Sequence, residues 1–107
     1  MAAININKEQ LERLIRGEKP VLVDFWAPWC GYCRRIGPAY DRIVEEYKDS
    51  LTVVKLNIDD EAQLAEAEQI EVIPTLVLYQ NGIAIDSIVA PGSKVMIDRF
   101  IQAALAK

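Results

Sequence analysis

Phe25-Trp26-Ala27-Pro28-Trp29-Cys30-Gly31-Tyr32-Cys33 holds both cysteines of a 107-residue chain, with two residues between them. The run before it, Val21-Leu22-Val23-Asp24-Phe25-Trp26, is apolar on both faces, as a central strand flanked by helices should be. The cysteines therefore stand where a strand gives way to a helix. Two thiols at that spacing can close a small disulfide ring or share a metal. If a helix begins at the first cysteine, its amide dipoles favour the thiolate there. The thiolate is the form that attacks disulfides.

A chain of this length is expected to form one domain spanning residues 1–107. Folding at this size buries roughly two-thirds of the surface, enough for one core without staples. Half of the residues are apolar (51%) and the charges are mixed, an ordinary globular composition. A net charge of −4 argues against nucleic acid, whose binding depends on Lys and Arg neutralising phosphates. Arg34-Arg35 is a local positive pair beside the cysteines. Met1 to Lys8 lacks the charged start and apolar stretch of a signal peptide, and no run approaches the ~18 apolar residues of a membrane span. The expected location is cytoplasmic, with no membrane partner. In that compartment a closely spaced cysteine pair marks redox or metal chemistry more often than a structural staple. The chain has no histidine, which removes Ser-His-Asp and Cys-His catalysis and most zinc sites.

Working outward, Ile4 and Ile6 suggest a short first strand. Asn7 can cap a helix with Gln10 three residues on, and Leu11, Leu14 and Ile15 form its apolar stripe, with Gly17 ending it. After the cysteines, Ile36, Tyr40, Ile43, Val44 and Tyr47 recur at helical spacing, and Pro38 inside that stretch should kink the helix. Leu51 to Ile58 reads as a second apolar strand, Asp60 as the start of a short helix, and Thr75 to Tyr79 as a third strand. Asn81-Gly82 signals a tight hairpin that returns Ile83 to Val89 antiparallel. Ser93 can cap a last helix whose buried face holds Ile97, Phe100, Ile101, Ala104 and Leu105. The pattern predicts an α/β fold, a mixed sheet of about five strands with about four helices on its two sides.

The string Val23 to Arg34 closely resembles the redox segment of the thioredoxin family. Pro38, Lys55-Leu56-Asn57-Ile58-Asp59, Ile73-Pro74-Thr75 and Asn81-Gly82 follow in matching order and at matching distances, so the resemblance runs from about Asn7 to Leu105. Two departures stand out. Family members usually carry Gly-Pro between the cysteines, where this chain has Gly31-Tyr32. They typically have glycine where this chain has Ala90, and Pro91 follows it here.

The resemblance implies a thioredoxin fold and a reductase of protein disulfides working by dithiol–disulfide exchange, with no bound cofactor beyond a redox-active Cys30–Cys33 disulfide. In that reading Cys30 attacks the substrate, and Cys33, a turn into the helix and more buried, releases it. The substrates are disulfide-containing proteins, the electron donor is a thioredoxin reductase, and the protein is a monomer. Asp24 lies in an apolar strand, where burial raises a carboxyl pKa and suits proton transfer. By resemblance it takes the proton of Cys33 through water, with Lys55 as its electrostatic neighbour. Trp29, Gly31, Tyr32, Ile73, Pro74 and Ala90 would make the substrate-docking surface, with Trp26 a core aromatic. Pro74 would be cis and lie against the cysteines, keeping metal away.

Tyr32 is expected to restore an amide donor near Cys30, which proline lacks, and to loosen the loop. A donor there stabilises the thiolate and makes the disulfide more oxidising. Other readings compete with a thioredoxin-like reductase. A glutaredoxin-like enzyme often has Tyr before its second cysteine, but the paired tryptophans, the strand aspartate and the length favour the thioredoxin family. An oxidant or isomerase would belong to an oxidising compartment. A metal-linked dimer would need two cysteine pairs from two chains. A redox-gated binding module would keep its partners without turnover.

Overall fold

In the computed structural model, which describes residues 2–107, ten elements follow in order. They are β1 (Ile4–Asn5), α1 (Lys8–Ile15), β2 (Val21–Trp26), α2 (Gly31–Arg35), α3 (Gly37–Glu46), β3 (Thr52–Asn57), α4 (Ala62–Ala67), β4 (Thr75–Gln80), β5 (Ile83–Val89) and α5 (Lys94–Leu105). The strands form one sheet in the order β1-β3-β2-β4-β5. β1 and β2 pair parallel to β3, while β4 is antiparallel to both β2 and β5. The strand that leads into the cysteines is therefore the middle one.

Alternation along β2 sorts its side chains to two faces. Val21, Val23 and Phe25 join Leu11, Val54, Leu56, Val77 and Tyr79 in one core layer. Leu22 points the other way, into a layer with Tyr40, Ile43, Leu76, Leu78, Ile97 and Ile101. Asp24 shares the side of Leu22, beneath α3. The end signals act as read. Asn7 and Gln10 form a reciprocal capping box on α1, and the Ser93 hydroxyl accepts from the Met96 amide at 3.2 Å. Asn81 and Gly82 take φ of 55° and 83°, the left-handed pair that a two-residue hairpin turn requires.

Three boundaries differ from the sequence expectation. Five helices form rather than about four, because the stretch after the cysteines breaks at Ile36 into α2 and α3 instead of bending as one helix. Pro38 then sits in the first turn of α3, where its missing amide costs no helical hydrogen bond. The short helix begins at Ala62 rather than at Asp60, whose amide donates to Asn57 O at 3.1 Å in a turn. The first strand stops at Asn5, and Ile6 is buried beyond it.

Tyr40 ties α3 to the sheet. Its ring is buried, and its hydroxyl donates to Val54 O at 2.6 Å and lies 3.2 Å from Leu22 O. Removing the hydroxyl leaves both carbonyls less well satisfied in a dry core. Tyr40→Phe should therefore lose about 1–2 kcal/mol of unfolding free energy in urea. A loss within about 0.3 kcal/mol of zero would mean that the bond contributes little.

Candidate active site

β2 ends at Trp26 and the chain turns at once, with the Cys30 amide donating to Ala27 O at 3.1 Å. Cys30 is the N-cap of α2, and its Sγ accepts from the Cys33 amide at 3.2 Å. The two cysteines are joined as a disulfide across a Cα–Cα distance of 5.3 Å. Cys33 is the more buried, as expected (4% exposed against 9%), but Cys30 is also nearly covered. The reason is an apolar cluster in which Trp26, Tyr32, Ile58 and Ile73 pack against Ala27 and both cysteines.

Two loops meet the cysteines. The Ile73–Pro74 peptide is cis, and Ile73 O lies 3.9 Å from Cys30 Sγ. Ala90, at φ +45°, donates its amide to Pro74 O at 2.8 Å. A glycine, which the resemblance leads one to expect at this position, would fit that left-handed backbone without strain. Trp29 is 66% exposed and fixed by its indole N–H, which donates to the Asp59 carboxylate at 3.0 and 3.2 Å. Gly31 is exposed, Ile73 half-buried and Pro74 buried. Tyr32 departs from expectation: among the described residues the amide that reaches Cys30 Sγ belongs to Cys33, while the Tyr32 hydroxyl donates to Pro91 O at 3.0 Å. Pro91 carried no signal for this beyond its unusual place after Ala90.

Behind Cys33 lies a cavity of about 200 Å³ lined by Asp24, Trp26, Cys33, Arg34, Gly37, Tyr40, Asp41 and Lys55. The sequence named Cys33 from the cysteine pair, Asp24 from its place in an apolar strand and Lys55 by resemblance, and the structure gathers all three here; Tyr40 and Asp41 read only as part of a helix pattern. Asp24 and Lys55 are directly opposite in the β2–β3 ladder. Asp24 is buried and its Oδ1 has no hydrogen-bond partner, so desolvation pushes its pKa up to about 7, against a smaller downward pull from Lys55. The Lys55 ammonium also sits 4.4 Å from the centroid of the Trp26 ring, and the Trp26 indole donates to Asn5 Oδ1 at 2.8 Å. Trp26 is thus partly a polar anchor and not simply a core aromatic. Among the described residues no group of three or more His, Cys, Asp or Glu comes together as a metal site.

A central mixed sheet whose middle strand runs into a disulfide at a helix start, faced by a cis-proline loop, defines a thioredoxin-type oxidoreductase. The chain belongs to the thioredoxin family: the family model named Thioredoxin matches residues 2–103. It is 46% identical over 78 residues to the thioredoxin of Porphyra purpurea, covering 73% of each chain. It is 43% identical over 91 residues to that of Griffithsia pacifica, covering 85% of this chain and 84% of the relative. Thioredoxin 1 of Nostoc is 37% identical over 91 residues, with 85% of each chain covered. A structure from work on thiol resolution in yeast mitochondrial 1-Cys peroxiredoxin via glutathione/thioredoxin systems matches the fold with a TM-score of 0.83, at 23% identity over 94% of both chains. The protein is accordingly a thiol–disulfide oxidoreductase of protein disulfides, acting through the Cys30/Cys33 pair.

The raised Asp24 pKa makes stability depend on pH. The unfolded chain gives up this proton near pH 4, whereas the folded protein holds it to about pH 7. The contribution is therefore full below pH 4 and is lost as pH rises through 7, up to about 4 kcal/mol in all. Urea unfolding between pH 4 and 8 should show this decline, and Asp24→Asn should flatten it. An unchanged slope in Asp24→Asn would assign the dependence to other groups.

Proposed function

We propose that residues 1–107 act as one monomeric thioredoxin domain in which Cys30 is the attacking cysteine, Cys33 the resolving one and Asp24 the proton acceptor. The observation that carries the reading is the Cys33 amide pointing at Cys30 Sγ, with a carboxyl-lined cavity directly behind Cys33. Once the pair is reduced, that amide stabilises negative charge on Cys30 and keeps it reactive. The Cys30 thiolate attacks one sulfur of a substrate disulfide. A mixed disulfide forms, the substrate S–S bond breaks, and the departing thiolate takes up a proton. The fraction of Asp24 that is ionised at neutral pH, with its pKa near 7, removes the Cys33 proton through water in the cavity, with Lys55 stabilising the carboxylate. The Cys33 thiolate then attacks Cys30, the second substrate sulfur leaves and is protonated, and two electrons have passed to the substrate. The product is the Cys30–Cys33 disulfide that the structure holds.

Trp29, Gly31, Tyr32, Ile73, Pro74 and Ala90 form the surface on which the substrate segment lies. The exposed Trp29 and the Cys30–Ile73 approach support that assignment. Recharging falls to a thioredoxin reductase drawing on NADPH or another low-potential donor, which places the protein in cytoplasmic electron transport. The electrons are carried by the cysteine pair, without a bound cofactor, membrane or nucleic acid.

Insulin disulfide reduction tests the reading. Turnover should run with thioredoxin reductase and NADPH and be weak with glutathione; activity only with glutathione would overturn it. Cys30→Ser should abolish turnover, and Cys33→Ser should accumulate covalent complexes through Cys30. Failure of Cys33→Ser to trap any partner would reverse or remove the assigned roles.

A further inference from the structure

Tyr32 lies between the two cysteines, and its side chain reaches beyond the active-site helix. The ring packs in the cluster around the cysteines, half-buried. The Arg35 guanidinium carbon lies 5.7 Å from the ring centroid, holding its face from the next turn of helix. The hydroxyl donates to the carbonyl of buried Pro91 at 3.0 Å. Pro91 follows Ala90, whose amide is bonded to Pro74 O at 2.8 Å, and Pro74 follows Ile73, whose carbonyl faces Cys30 Sγ at 3.9 Å. These contacts close a ring: α2 to Tyr32, Tyr32 to Pro91, Ala90 to Pro74, Ile73 back to Cys30. In that ring, among the described residues, the phenol bond is the link between α2 and the loop at 90–91.

We infer that Tyr32 is a specificity-determining positioning residue whose hydroxyl, bonded to the Pro91 carbonyl, fixes the 90–91 loop against the active-site helix. The ring of Tyr32, Ile73 and Ala90 then present one apolar wall at a set distance from Cys30. Such a wall fits a disulfide carried on an extended apolar stretch of polypeptide. A small disulfide needs only access to Cys30 Sγ and gains little from the wall. The inference rests on the docking surface proposed above and adds the residue that shapes it.

Tyr32→Phe keeps the amide and the ring and removes only the hydroxyl. Steady-state reduction of insulin and of dithiobis-nitrobenzoate, both recharged by thioredoxin reductase and NADPH, reads its effect. The ratio of kcat/KM for insulin to that for the small disulfide should fall about three- to tenfold, the size expected from one hydrogen bond, with the loss in KM rather than kcat. Tyr32→Ala, which also loses the ring, should lower the ratio further. The Cys30–Cys33 reduction potential of Tyr32→Phe, equilibrated against glutathione, should match the wild type. Parallel losses on both substrates, a loss confined to kcat, or a shifted potential would overturn the inference. Wild-type protein that fails to reduce insulin would instead overturn the function proposed above, so the two failures are distinguishable.

Discussion

The Asp24 carboxyl group sits on the middle strand of the sheet with one oxygen lacking any hydrogen-bond partner, and the surrounding structure is arranged around that cost. A fully apolar residue there would pack more cheaply. Lys55, opposite on β3, offsets only part of the penalty, and its ammonium also lies over the Trp26 ring. The remainder appears as a proton held to about pH 7. The strand that buries Asp24 is the same one that delivers Cys30, six residues on, to the start of α2. One element therefore positions both the proposed proton acceptor and the proposed attacking cysteine, and Asp24 and Cys33 line one cavity.

The proposed docking side is built differently, from segments far apart in the chain. Trp29 precedes α2 and is steered by Asp59 beyond β3; Ile73-Pro74 leads into β4; Ala90-Pro91 leaves β5. Each is a short irregular stretch held by the regular strand beside it, so rigid elements position the reacting groups while loops present them. The short bonds between the stretches, Ala90 to Pro74 and Tyr32 to Pro91, make them one surface.

Legibility from sequence followed the range of the interactions. The capping box at Asn7, the hairpin at Asn81-Gly82 and the Ser93 cap depend on neighbours within three residues, and each formed where its residues stand. The double-sided apolarity of Val21 to Trp26 placed that strand at the centre, which burial bears out. The break at Ile36 was less visible, because a proline signals either a kink or a fresh helix start and only tertiary packing chooses. At the site, the cysteine pair and Asp24 could be named from local pattern. The cavity roles of Tyr40 and Asp41 could not, since a helical stripe does not say which strand it will cross. The Tyr32 hydroxyl is the sharpest instance. Its partner is 59 residues away and is a backbone carbonyl, which carries no side-chain signal.

The central claim, that Asp24 works through Cys33 and not through Cys30, can be read in a single turnover. Reduced protein mixed with excess dithiobis-nitrobenzoate should release the coloured thiolate in two phases, the first from attack by Cys30 and the second from resolution by Cys33. The second phase should quicken with pH through an inflection near 7 in the wild type. In Asp24→Asn it should slow and lose that inflection, while the first phase keeps its pH profile. An unaltered second phase, or a change confined to the first, would contradict the account.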